Sequence, residues 1–317
     1  MRNMVRKVPS PFKKVLFATD FSSSSEGSLR SGFRLCQMNE ASLCILHVRK
    51  SDVAAQTETG LLIETGVLEN EALQLLSQLN DRARQAGVDC TSSVETGIAS
   101  AKILEAIDAT EVDLAILGTS EPRNSKRLVF GPTAEAVMRK ASCPIMTVGP
   151  VAADLVKTNA LNGAVIFATD FHSVTREAIR LAVSYCKSTG LRLHCLHVLP
   201  RTLQSTDGDQ TLPAILTSAL RHLAATSAIG IDLPVCCVTF GSEISNAVVD
   251  YAWKQQASLI FLGVRRSSMV ATDDPSPIVF RIITEAPCPV VTIVCDTELD
   301  PLYPRPSKFE ASPLHLP

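Results

Sequence analysis

The chain has 317 residues, 46% hydrophobic and 20% charged, with a formal net charge of −2. That length suits two domains of ordinary size. The near-neutral charge gives no general attraction to nucleic acid or to an anionic membrane, and no apolar run reaches the ~20 residues of a bilayer span.

Residues 1–14 are basic but lack an apolar stretch, so no signal peptide is expected and a cytoplasmic location is. An apolar run predicts the first strand at 15–19. Ser23 and Glu26 then have capping-box spacing, and Leu29, Phe33 and Cys36 mark one face of a helix. Further strands are predicted at 43–48, 88–95, 114–118 and 145–148, with a long polar loop at 50–60 before the second helix. Ala134, Val137, Met138 and Ala141 mark the helix before the strand at 145–148. After a joining segment at 149–162, strands follow at 164–169, 191–199, 233–240, 259–263 and 290–294. Two more helical stripes accompany them: Ile179, Ala182, Val183 and Cys186, then Val279, Ile282, Ile283 and Ala286. Residues 296–317 form a proline-rich tail, predicted to be extended.

The series is written twice. Phe17-Ala18-Thr19-Asp20-Phe21 returns as Phe167-Ala168-Thr169-Asp170-Phe171, and Leu46-His47-Val48 as Leu196-His197-Val198. Gly118 returns as Gly263, and Cys143-Pro144 as Cys288-Pro289. An ordered repeat of this length means a duplicated domain, with copies at 11–150 and 160–295. Most of the apolar runs lack alternation and are separated by amphipathic helices. That predicts an α/β fold of two tandem doubly wound domains, with parallel strands covered by helices on both faces. The last strand of each copy is expected to be an edge, and the two copies to pair along these edges.

Ligands of such sheets bind beyond the carboxyl ends of the strands. Thr19-Asp20, His47-Val48 and the stretch from Gly118 to Gly131 are therefore the candidate positions. Gly118 ends a strand, and Gly131-Pro132-Thr133 opens a helix whose N-terminus offers free N–H groups. Arg123, Lys126 and Arg127 lie between and would attract a phosphate chain. The alternative reading is a solvated loop with proline at the first helical position.

The remaining chemistry reads as structural. Of the ten cysteines, Cys36, Cys44, Cys143, Cys186, Cys195 and Cys288 sit in or beside apolar stretches and are read as packing residues; the chain has no CxxC pair. Cys236 and Cys237, adjacent on a strand, point to opposite sides and do not read as a redox pair. His47 and His197 fit packing or a backbone hydrogen bond. His194 and His197 lie on opposite strand faces, so no metal site is inferred. With no Walker A lysine, no GxSxG and no paired acid and base, no catalytic residue is assigned and no enzyme is inferred.

The segments Phe17–Ser22, His47-Val48, Gly118 with Gly131–Val137, and Cys143–Val148 together resemble the universal stress protein family in its tandem form. The resemblance implies a five-stranded parallel sheet per domain, in strand order 3-2-1-4-5. It also implies a stress-response binding protein and, in many members, an ATP site, with Mg accompanying the nucleotide. By that correspondence Asp20 sits at the nucleoside and phosphate side, and Val48 meets adenine through its backbone. Gly118 and Gly131 fill the first and third glycines of the phosphate pattern, and Thr133, shifted by one position, partly stands in for its hydroxyl. Glu121 replaces its second glycine and Pro132 removes a donor, so the pocket is weakened. The second copy reads Gly263, Arg266, Ser276 and Pro277, with Asp273 and Asp274 beside it, and is expected to bind nucleotide poorly. Retention of Asp170 there points to a turn or cap at least as much as to a ligand. The family also implies edge-strand contacts, hence a homodimer. The alternatives are a nucleotide-free scaffold acting through protein contacts and, third, a weak ATPase.

Overall fold

The structure is a computed structural model that describes residues 9–50, 65–119, 131–156, 163–171, 175–204, 210–227, 231–265 and 278–295. Glu121, Arg123, Lys126, Arg127, Arg266, Asp273, Asp274, Ser276, Pro277, the loop from 51 and the tail at 296–317 lie outside the described residues.

The first repeat runs β1 (Lys14–Thr19), α1 (Ser23–Asn39), β2 (Ser42–Arg49), α2 (Thr65–Gln85), β3 (Cys90–Thr96), α3 (Ala99–Thr110), β4 (Leu114–Gly118), α4 (Pro132–Lys140) and β5 (Ile145–Val148). A short helix, α5 (Pro150–Val156), follows. The second repeat runs β6 (Val165–Ala168), α6 (Thr175–Thr189), β7 (Leu193–Pro200), α7 (Thr211–Ser227), β8 (Val235–Gly241), α8 (Ile244–Lys254), β9 (Leu259–Arg265), α9 (Ile278–Glu285) and β10 (Val290–Cys295).

All ten strands join one sheet, in the order β3-β2-β1-β4-β5-β10-β9-β6-β7-β8. Each half has the expected 3-2-1-4-5 order with parallel pairs. The halves meet where β10 runs antiparallel to β5, with Val290 opposite Thr147 and Thr292 opposite Ile145. The two terminal strands thus satisfy each other inside the chain, as the edge argument anticipated. Neither is an edge in the folded molecule, which corrects the expectation that they pair a second copy; the sheet ends instead at β3 and β8.

Burial follows from this layering. β4 and β5 lie near the middle and β6 lies inside the sheet between β9 and β7, and the side chains of all three are buried almost throughout. β3 at the sheet's end alternates between exposed and half-buried positions, because only one of its faces is well covered. The stripes Leu29, Phe33 and Cys36 of α1 and Ile179, Ala182, Val183 and Cys186 of α6 enter one core. Val137 and Met138 of α4 and Ile282 and Ile283 of α9 enter the core on the other face.

Two local expectations are corrected. The joining segment contains α5, seven residues long and too short for a periodic signal. Its Ala152 is buried, and α1 accommodates it with a bare Gly27: a Cβ there would come within 2.3 Å of the Ala153 Cβ. Glu26 is engaged away from the start of α1, taking Arg30 at 2.9 Å and Arg82 of α2 at 2.6 Å. Its ion pairs tie α1 to α2, where the capping-box reading had it reach back to the helix start. Among the described residues no helix is long and apolar enough to cross a membrane.

Candidate functional site

A crevice of about 160 Å³ opens at the carboxyl ends of β1, β2 and β4, against the first turns of α3 and α4. Thr19, Asp20, Val48, Gly118, Gly131 and Thr133 all line it. The topology brings them there: β1 is flanked by β2 and β4, whose chains leave toward opposite sides of the sheet. Leu46, Ala99, Ile103 and Leu117 add an apolar wall that the motif reading did not identify. Their signal in the sequence was only that of core residues. The predicted cations Arg123, Lys126 and Arg127 fall outside the described residues.

Asp20 is placed by a turn built after β1. Its Oδ1 accepts hydrogen bonds from the Ser22 N–H at 3.0 Å, the Ser22 hydroxyl at 2.6 Å and the Ser25 hydroxyl at 2.7 Å. Such a carboxylate closes an Asx turn and leads the chain into the helix. Partial burial disfavours its charge, but the bonds from Ser22 and Ser25 outweigh that and lower its pKa from the ordinary value. The carboxylate is therefore ionised at neutral pH, and it brings negative charge to the crevice.

Phe21, the next residue, has φ of 60°, and Phe171 in the second repeat has φ of 63°. A phenylalanine in the left-handed region costs about 1–3 kcal/mol, so the surroundings must hold it. In the first repeat the Phe21 N–H donates to Thr19 Oγ1 at 3.0 Å, and its ring lies 4.4 Å from that of His47. In the second, Phe171 N–H donates to Thr169 Oγ1 at 2.9 Å and packs 4.8 Å from His197. His47 Nδ1 lies 2.9 Å from the Thr19 carbonyl, and His197 Nδ1 2.7 Å from that of Thr169. A carbonyl only accepts, so Nδ1 carries the proton in both. The two histidines make the backbone hydrogen bond read from the sequence. With Thr and Phe they form a clasp that aims the intervening aspartate. The recurrence of all five residues was the clue to this strained turn, though no local propensity predicts a left-handed phenylalanine.

At the far wall Gly131 caps α4 and Pro132 occupies its first turn. By helix geometry the amides of Thr133 and Ala134 lack intrahelical acceptors, whereas Pro132 has no N–H to offer. Thr119 is buried and donates its hydroxyl to the Val148 carbonyl at 3.3 Å. Across the sheet a more open cavity of about 370 Å³ shares Val48 and is lined by Phe21, His47, Arg49, Lys50 and Leu75 among others.

His194 and His197 part company as predicted: His194 Nδ1 lies 3.1 Å from the Tyr251 hydroxyl, away from the clasp. Among the described residues no group of three or more His, Cys, Asp or Glu side chains could hold a metal ion.

The model of the universal stress protein family matches residues 11–149 and again 162–293. Universal stress protein MJ0531 of Methanocaldococcus jannaschii is 22% identical over 150 residues, covering 47% of this chain and 88% of the relative. Universal stress protein YxiE of Bacillus subtilis is 25% identical over 146 residues, covering 43% of this chain and 99% of the relative. Among solved structures, a universal stress protein from Archaeoglobus fulgidus shares the fold with a TM-score of 0.68 and 20% identity, covering 89% of this chain and 98% of that one.

Proposed function

The chain belongs to the universal stress protein family, and on that premise we propose that it is a stress-response binding protein whose first repeat holds an adenine nucleotide weakly. The observation that carries this reading is the convergence of Thr19, Asp20, Val48, Gly118, Gly131 and Thr133 on one crevice.

The residues suit the two ends of such a ligand unequally. Leu46, Val48, Ala99 and Ile103 offer an apolar slot for a base. Thr133 and the first amides of α4 offer donors to phosphate oxygens, fewer than a proline-free helix start would. Asp20 repels phosphate unless a divalent cation such as Mg lies between, and it is the carboxylate among the described lining residues. Drug-sized ligands fill roughly 300–1,000 Å³. A crevice of about 160 Å³ therefore takes a base and part of a ribose, with the phosphates extending past its rim. Arg123, Lys126 and Arg127 follow Gly118 in the sequence and are the cations proposed to meet them. The second repeat, with Asp273 and Asp274 ahead of α9, is proposed to bind poorly.

Pro132 favours one other reading, a nucleotide-free scaffold acting through protein contacts. A weak ATPase has least support, since beyond Asp20 no base is identified. Calorimetric titration of the full chain with ATP, ADP and adenosine, with and without magnesium, separates the three. Saturable binding that Ile103→Trp abolishes, by filling the apolar slot, supports the nucleotide reading. Absence of heat with all three ligands overturns it in favour of the scaffold. Release of phosphate abolished by Asp20→Asn would establish the ATPase.

A further inference from the structure

Cys195 on β7 and Cys236 on β8 are register partners on neighbouring parallel strands, and both face the core beneath α6 and α7. Cys195 is fully buried, whereas Cys236 is half-buried on the outermost strand of the sheet. The proximity of the two sulfurs lowers the Cys236 pKa against the opposing effect of burial, with Arg221 assisting, and together with burial it raises that of Cys195. The Cys236 thiol donates to the Pro234 carbonyl at 3.8 Å. Paired strands stand about 4.8 Å apart, inside the window of about 4.4–6.8 Å between Cα atoms that a disulfide spans. The other nearby thiols are placed differently. Cys186 of α6 is buried, which pushes it up to about 12. Cys237 points through the sheet into the opposite core, where burial raises its pKa. At the matching register of the first repeat stand Ile45 and Ser92, so the arrangement belongs to the second repeat alone.

We propose that Cys236 and Cys195 form a dithiol that hydroperoxides convert into a cross-strand disulfide, with Cys236 the attacking thiol and Cys195 the resolving one. In the first step the Cys236 sulfur attacks the outer peroxide oxygen. An S–O bond forms, the O–O bond breaks, and the alcohol or water leaves with the thiol proton. Cys236 becomes a sulfenic acid, oxidised by two electrons while the peroxide is reduced by two. In the second step the Cys195 sulfur attacks Cys236. The S–S bond forms, the S–O bond breaks, and hydroxide leaves with the Cys195 proton as water. A dithiol reductant reverses the change by exchange. The product staples the outermost strand to its neighbour. This inference stands apart from the nucleotide reading, because neither cysteine lines the crevice.

The test uses the full, reduced chain treated with stoichiometric hydrogen peroxide, followed by alkylation of the remaining thiols and tryptic mass mapping. The expected product links peptide 193–201 to peptide 222–254. The second peptide carries both Cys236 and Cys237, so the link must persist in Cys237→Ser and vanish in Cys236→Ser. In Cys195→Ala the sulfenic acid has no resolving partner, and dimedone labelling of Cys236 should rise at least about fivefold over the native chain. An unlinked native chain, or a link through Cys186 or Cys237, overturns the proposal. The native chain and the half-buried Cys236 variant decide the matter even if Cys195→Ala fails to fold.

Discussion

Thr147 and Thr292 hold equivalent places in the two repeats and clasp the β5–β10 seam from opposite sides. The Thr147 hydroxyl donates to the Val290 carbonyl at 3.3 Å, and the Thr292 hydroxyl to the Ile145 carbonyl at 3.2 Å. Both residues are fully buried. The seam therefore has an approximate internal twofold, the geometry expected when two copies of one domain meet through the same strand.

Because the two bonds are equivalent, Thr147→Val and Thr292→Val should each lower unfolding free energy in urea by about 1 kcal/mol. Val148→Lys and Ile293→Lys bury a charge beside the seam and should cost several times more. Native-like unfolding midpoints in both lysine variants would rule out the seam.

Gly149 leaves β5 directly beneath α9. A Cβ at this position would sit 1.9 Å from the Ile283 carbonyl oxygen, and backbone cannot yield as a side chain can. Gly149→Ala should therefore destabilise by about 1–3 kcal/mol through overpacking. Gly190→Ala, where nothing lies within 4 Å but φ is +74°, should lose only the ~1 kcal/mol of a left-handed alanine. Equal melting temperatures for the two variants would contradict this account.

Removing the imidazole of either clasp frees a strained turn. His47→Ala and His197→Ala each lose one hydrogen bond to a carbonyl and one ring contact, together about 2 kcal/mol. If the crevice holds its ligand through Asp20, then His47→Ala should also weaken that ligand, and His197→Ala should not. Calorimetry on both variants checks the asymmetry.

Asp20 makes stability depend on pH in a defined sense. Its folded pKa lies below the unfolded value of about 3.8. The native state thus favours the ionised form, and the contribution is fully present above that value and is lost as pH falls through the lower folded one. The stability gap between the native chain and Asp20→Asn should be widest near neutral pH and should shrink below about pH 4. A gap constant from pH 7 to pH 3 would mean that the Ser22 and Ser25 bonds do not favour the carboxylate.

Much of this molecule was legible along the chain. The strand predicted at 15–19 is β1 over Lys14–Thr19, and the one at 43–48 is β2 over Ser42–Arg49. Buried parallel strands and amphipathic helices write their periods locally. That Thr19, Asp20, Val48 and Gly118 would lie near one another was legible for another reason, since doubly wound sheets place their crevices beyond the carboxyl ends of the strands. The apolar wall from Ala99 and Ile103 was not, because a pocket-lining alanine or isoleucine has the same pattern as a core one.

The amino-acid sequence by itself determined the duplication, the α/β alternation and the buried faces of α1, α4, α6 and α9, because each depends on residues close together or on direct repetition. Only the tertiary structure decided the antiparallel register in which β5 and β10 close on one another, that Phe21 and Phe171 take left-handed backbone, and that Cys195 stands beside Cys236. Those three depend on how residues remote in the chain are brought into register and packed, which no local pattern of side chains records.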